Sequence, residues 1–169
     1  VADYFIQGLE MDYYSASGQL NYHVKADRLL YFQGKNLSLM FKPDFFWFDD
    51  FSVKRWLIQG ETGTLLQDKQ IFRFEERVRL SNLVNEGREN PQPVLLETDY
   101  LDIFLDQDLA LTDADVMVNV ISVSDGQIQE ISKTNARGMR LILPEDKIEF
   151  LNQVQTQNLP NEDLILREE

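Results

Sequence analysis

One phrase recurs four times along this chain of 169 residues, and it constrains the fold more than any other feature. A small residue stands at Ala26, Gly60, Thr98 and Ala136. Three residues on are Leu29, Gly63, Leu101 and Met139, and five on are Tyr31, Leu65, Ile103 and Leu141. The small residues lie 34, 38 and 38 positions apart. Periods of about 20–50 residues mark stacked supersecondary units, each too small to bury its apolar face alone. The expected product is a long concave sheet of strand pairs, which offers no catalytic pocket.

Within each unit the strands follow a period of two. Before the small residues, Tyr22 and Val24, Trp56 and Ile58, Val94 and Leu96, and Ser132 and Thr134 fall on the inward side. A second strand of the second unit puts Phe72, Phe74, Val78 and Leu80 on one face. The same face carries Ala110, Thr112, Val116 and Val118 one period later, then Ile148, Phe150, Val154 and Thr156. The first unit fits when shifted by one residue, with Leu39, Phe41, Phe45 and Trp47 inward. Turn signals punctuate the strands at residues 15–18 (Ser-Ala-Ser-Gly), 33–36, 67–69 and 124–126. No stretch sustains the 3.6-residue apolar period of a helix. The chain is expected to be all-β.

The composition narrows function by exclusion. A net charge of −13 opposes a nucleic-acid backbone, which needs clustered Lys and Arg. It also opposes unaided adsorption to an anionic membrane surface. At 43% hydrophobic and 11% aromatic, the chain can bury a substantial interior. Residues 1–158 are expected to form one domain and residues 159–169 an acidic tail. Asn85 to Pro93 has the polar, Gly/Pro-bearing character of a long loop. The absence of cysteine does not choose a compartment. The chain starts at Val1 without Met, so a processed or partial chain is expected, with any anchor upstream.

Chemistry is scarce. The single histidine, His23, lies between inward Tyr22 and Val24 and is expected to be an exposed, unaccompanied surface residue. No Cys or His cluster offers metal ligands, no serine sits in a Gly-x-Ser-x-Gly elbow, and no cofactor motif occurs. Glu10, Asp12, Asp27, Asp44, Glu61 and Glu75 are expected on a solvated face, and in so acidic a chain pairs such as Asp49-Asp50 or Asp113/Asp115 do not mark an acid/base site. No catalytic residue is assigned.

The interior and the ends remain as functional surfaces. The ladder of Trp56, Ile58, Phe72, Phe74, Ala110, Thr112, Val116, Ile148 and Phe150 can be a filled core. If the two halves of the sheet stay open along one side, it becomes an apolar trough that accepts acyl chains. Phe46 and Phe48 are left facing outward, to be covered by a neighbouring layer or a partner. The first strand (Tyr4 to Met11) and the last (Lys147 to Gln157) would be unpaired edges. The last has no Pro and one internal charge, which suits β-augmentation by another protein. Burial of that edge by residues 159–169 is the alternative.

A series of segments, in order, resembles the LptC family of lipopolysaccharide export. They are residues 3–9 (DYFIQGL), 18–27 (GQLNYHVKAD), Lys42-Pro43, Trp56-Leu57-Ile58, 96–101 (LETDYL), 110–113 (ALTD) and 136–139 (ARGM). The resemblance implies an open, twisted antiparallel β-jellyroll that is no enzyme and needs no cofactor. It implies lipopolysaccharide acyl chains in a groove lined by Phe41, Trp56, Ile58, Phe72, Phe74, Ala110, Thr112, Val116, Ile148 and Phe150. It implies an N-terminal edge at Tyr4, Phe5 and Ile6 that meets LptF and LptG, with LptB as the ATPase. It further implies a C-terminal edge at Phe150, Asn152 and Val154, with Gly138, that meets LptA. The location implied is the periplasm, with the native protein anchored in the inner membrane. A structural β-repeat module with a filled core, acting through its edges alone, is the competing reading.

Overall fold

The computed structural model describes residues 1–83, 93–124 and 126–158. The expected loop at Asn85–Pro93, apart from Pro93, and the acidic tail lie outside the described residues. Among the described residues eleven antiparallel strands make one sheet: β1 (Tyr4–Tyr14), β2 (Leu20–Phe32), β3 (Leu37–Phe41), β4 (Asp44–Phe48), β5 (Lys54–Gln59), β6 (Thr62–Leu66), β7 (Ile71–Asn82), β8 (Val94–Phe104), β9 (Leu109–Ser124), β10 (Gln127–Ile142) and β11 (Lys147–Asn158). Among the described residues no helix is long and apolar enough to cross a membrane.

The sheet is folded into two layers, and the recurring small residues mark the fold. The first half of β2 pairs with β4, which pairs with β5, which pairs with the second half of β7. The second half of β2 pairs with β3, then β6, then the first half of β7. β8, β9 and β10 run through both layers, with register breaks at Thr98–Asp102 and Arg137–Met139. Ala26, Thr98 and Ala136 are buried at these corners, and Gly60 lies in the break between β5 and β6. The corner backbone stays bonded: Lys42 N–H donates to Glu61 O at 2.8 Å, and Glu61 N–H to Glu76 O at 3.0 Å. A bulky side chain there would hold the layers apart; Thr98 turns its hydroxyl onto Asp115 O at 2.9 Å.

The far ends of the second layer repeat as faithfully as the corners. Single 3₁₀ turns at Gln33–Lys35, Gln67–Lys69 and Leu143–Glu145 close on Asn36, Gln70 and Asp146, each left-handed with φ near +50°. Asp108, at φ 49°, ends the equivalent β8–β9 turn. Each of these four residues lies ten positions after a small residue.

The core lies between the layers. Tyr22, Val24, Phe45, Trp47, Trp56, Ile58, Leu80 and Leu96 come from layer one. Leu29, Met40, Leu65, Phe72, Phe74, Leu101, Ile103, Met139 and Leu141 come from layer two. Burying each large side chain contributes about 1.5–3 kcal/mol, which is reason enough for the sheet to fold onto itself.

Three expectations are corrected here. Phe41 faces outward: in β3 the buried residues are Ser38 and Met40, and the Arg28 guanidinium lies 4.3 Å from the Phe41 ring. The cause is Lys42, whose φ of 50° reverses the alternation at the corner before Phe45 and Trp47. Phe48 is buried after a bulge that follows Trp47, and the Lys54 ammonium sits 4.6 Å over Phe46 and 6.0 Å over Phe48. His23 points away from the core but is accompanied, with Nδ1 2.5 Å from Asp12 Oδ1 on the paired strand.

Candidate functional site

The candidate site is the space between the two layers, together with the two ends at which the sheet stops. Of the expected groove residues, Trp56, Ile58, Phe72, Phe74, Ala110, Thr112 and Val116 are buried on the inner face, and Ile148 and Phe150 are half-buried against it. Phe41 does not belong to this set. At the centre, rings from both layers touch. Phe45 of layer one lies 5.6 Å from Phe72 and 6.1 Å from Phe74, and Phe72 lies 4.8 Å from Phe74. Such edge and offset contacts are worth only about 0.5–1.5 kcal/mol each beyond the area they bury.

Cover thins toward the last strand. Phe74 in the middle is 0% exposed, Phe150 on β11 is half-buried, and Val154 is 51% exposed. Met139 pairs with Phe150 and Leu141 with Ile148, so both β11 residues continue the inner face of β10. Further along, the Thr134 and Thr156 hydroxyls lie 3.0 Å apart across the same pair of strands. The apolar lining therefore continues from the closed centre onto β11 at Ile148 and Phe150, and becomes polar toward Thr134 and Thr156.

Among the described residues, β1 pairs only with β2 and β11 only with β10. The outer sides of both are therefore unpaired among the described residues. Tyr4, Phe5 and Ile6 are exposed on β1, with Tyr4 stacked 4.8 Å from Tyr31. On β11, Leu151, Asn152 and Val154 are exposed. Gly138 bends β10 beside this edge at φ 83°, and a Cβ there would lie 3.1 Å from the Leu151 Cβ. Only glycine adopts that backbone readily.

Sequence reasoning missed much of the lining. Met40, Leu65, Leu101, Ile103, Met139 and Leu141 are buried and were left out of the groove set. Their signal was present, because all but Met40 occupy the third or fifth position after a small residue. Leu105 and Leu143, buried in the turns, had no such signal.

Polar bonds from Tyr22 and Trp56 join the layers on the side opposite the corners. The Tyr22 hydroxyl donates to Leu105 O at 2.9 Å and also bonds Asp108 Oδ1. Burial, and then Asp108, push the Tyr22 phenol well above its usual range. The Trp56 Nε1–H donates to Asp146 Oδ1 at 2.9 Å.

A separate groove of about 1060 Å³ crosses the bends of β7 to β11. Its lining is mixed: the charged Arg77, Arg79, Glu97, Asp99, Asp115 and Arg137 stand beside Val116, Met117 and Val154.

Comparison with known proteins agrees with this geometry. The model of the family "LptC: Lipopolysaccharide-assembly, LptC-related" matches residues 1–159. Among curated proteins the sequence finds no match. Among solved structures it is similar to LptH from Pseudomonas aeruginosa, the LptA-homologous periplasmic component of the lipopolysaccharide transport device. The TM-score is 0.53 at 10% identity, covering 82% of this chain and 95% of that one. At that identity the likeness speaks for the fold alone, an LptA-like β-jellyroll.

Proposed function

The chain belongs to the LptC family of lipopolysaccharide-assembly proteins, and from that premise we propose that it serves lipopolysaccharide transport as a non-enzymatic bridge. Acyl chains pass between the two layers, and residues 1–158 act as one conducting unit in the periplasm, with the native protein held at the inner membrane. The observation that carries this reading is the graded burial of the apolar inner face, from Phe74 at the closed centre to Phe150 on β11. Each methylene exposed to water costs about 0.8 kcal/mol, so a lipid moves easily only where its cover is never interrupted. Contacts from Phe72, Phe74, Val116, Ile148 and Phe150 hold it without a fixed register.

The edges provide continuity. Tyr4, Phe5 and Ile6 on β1 meet LptF and LptG, which work with the ATPase LptB. Phe150, Asn152 and Val154 on β11, shaped by Gly138, meet LptA. Strand addition at either end extends the inner face into the next module, because side-chain alternation carries across a new main-chain ladder.

Site-specific photocrosslinking in cells tests the conduit. Probes at Phe74 and Phe150 are expected to capture lipopolysaccharide, and probes at outward Arg73 and Glu149 are not. Adducts at none of the four, in a folded protein, would favour a filled core acting through its edges. The ring contacts among Phe45, Phe72 and Phe74 favour that second reading in the free protein, so passage requires the layers to part there.

A further inference from the structure

Tyr22, Trp47 and Trp56 stand side by side on β2, β4 and β5, in direct register across the inner face of layer one. Each carries one polar group at the end of an apolar ring. The outer two are satisfied from the layer-two turns: Tyr22 by Leu105 O and Asp108, and Trp56 by Asp146. The middle one is not. Trp47 is 3% exposed, and among the described residues its Nε1–H has no hydrogen-bond acceptor. A buried donor without an acceptor forfeits its hydration and gains nothing in return. Phenylalanine at this place would keep much of the packing and avoid that loss.

We propose that the Trp47 indole N–H is a polar anchor for cargo, donating to the ester carbonyl of an acylated lipid lodged between the layers. This rests on the reading of the interior as an acyl-chain path. The chemistry follows from the surroundings. Tyr22, Phe45, Trp56 and Ile58 surround Trp47 on its own layer with apolar surface, which suits hydrocarbon. An acyl chain brings one strong acceptor with it, the carbonyl at its head. A single neutral donor can register that group without trapping the lipid, because one such bond changes affinity only modestly. The carboxylates of Asp108 and Asp146 are already engaged by the flanking rings and bring no donor, which leaves Trp47 as the donor in the row.

The test uses this chain, a short-chain diester phospholipid and its diether analogue with equal chain lengths. The wild-type protein is expected to bind the diester about two- to tenfold more tightly. Trp47→Phe is expected to bind both equally, at the diether level. In the ¹⁵N-labelled wild-type protein, the Trp47 indole proton should move downfield with the diester and stay in place with the diether. Equal binding of the two lipids by the wild-type protein, or a preference that survives in Trp47→Phe, would overturn the anchor and leave the conduit standing. An indole signal coupled to bound water and unmoved by the diester would also overturn it. Binding of neither lipid would remove the conduit, and the anchor with it. Should Trp47→Phe fail to fold, the wild-type indole signal decides.

Discussion

Trp56 Nε1 and Asp146 Oδ1 lie 2.9 Å apart across 90 residues of chain, tying the floor of layer one to a turn of layer two. Tyr22 and Asp108 make the equivalent tie across 86 residues. Both donors stand four positions before a small residue, and both acceptors stand ten positions after one. The first unit thus clasps the third, and the second clasps the fourth. Continuous backbone holds the layers together at the corners, and these two bonds help hold them on the opposite side.

The clasp predicts a graded mutational response at Asp146. Asp146→Ala removes the acceptor and leaves alanine at φ 50°, so a loss of about 1–2 kcal/mol is expected. Asp146→Asn keeps an acceptor and tolerates the left-handed backbone, and is expected to cost under about 0.5 kcal/mol. Urea unfolding of the two variants measures the difference. Equal losses would mean that the Trp56 bond and the backbone conformation contribute nothing separable.

Tyr22 predicts alkaline sensitivity. Its phenol is raised in the folded state by burial and then by the Asp108 hydrogen bond, so the folded protein holds this proton where the unfolded chain has released it. The contribution is fully present below the ordinary phenol value of about 10 and is lost as pH rises above it. The wild-type protein should therefore lose stability above pH ~10 more steeply than Tyr22→Phe. Parallel pH profiles for the two proteins would contradict the assignment.

Asp49 predicts the opposite limb. Burial pushes its carboxyl up, but Val53 N–H at 3.0 Å, Arg55 Nε at 2.7 Å and Phe51 N–H at 2.9 Å outweigh this and hold it below the usual range. A depressed carboxylate stabilises above its unfolded pKa of about 4, and the gain is lost as pH falls through the folded value. Asp49→Ala is expected to cost about 1–2 kcal/mol at pH 7. The gap from wild type should narrow below pH ~4 in thermal melts.

Two glycines should fail differently. A Cβ on Gly63 would stand 2.5 Å from the Phe72 ring and 2.9 Å from Pro43, so Gly63→Ala overpacks the core and should cost about 1–3 kcal/mol of global stability. Gly138→Arg meets a positive φ and the Leu151 side chain, which strains the pairing of β10 with β11 most directly. Hydrogen exchange should therefore quicken along β11 while the centre stays protected, and the proposed pairing with LptA at that edge should weaken. Uniform loss of protection would contradict a local role.

The corners were legible in the sequence because they demand a small residue, and the parity change after them was legible at Ala26, Thr98 and Ala136. There the inward set passes from even to odd positions, as in Val24 to Leu29 and Ala136 to Met139. The corner at Lys42 carries no small residue, so a strict period of two passes through it and predicts Phe41 inward, where the structure buries Met40. The partnership of Asp12 with His23 was recoverable, since a hairpin turning at Ser15–Gly18 sets those residues opposite each other. The clasps were not recoverable from local pattern. They depend on how far the layer-two turns reach across layer one, which is set by the coiling of the whole sheet.

Adjacent residues on β11 allow the conduit to be tested without disturbing the closed centre. Phe150 faces inward opposite Met139, whereas Leu151 lies over Gly138. Both are on an edge strand, and Phe150 is half-buried while Leu151 is exposed, so a charge at either is survivable in a way that Phe74→Glu is not. Phe150→Glu replaces an apolar ring on the lipid path with a carboxylate, and is expected to weaken lipopolysaccharide binding by about tenfold or more. Leu151→Glu leaves that path unaltered and should bind as the wild-type protein does. A fluorescent lipid displaced by lipopolysaccharide measures both, with circular dichroism to verify folding. Equal loss in the two variants would place the lipid along the strand edge instead of between the layers. No loss in either would end the conduit at β10, where Met139 is fully buried.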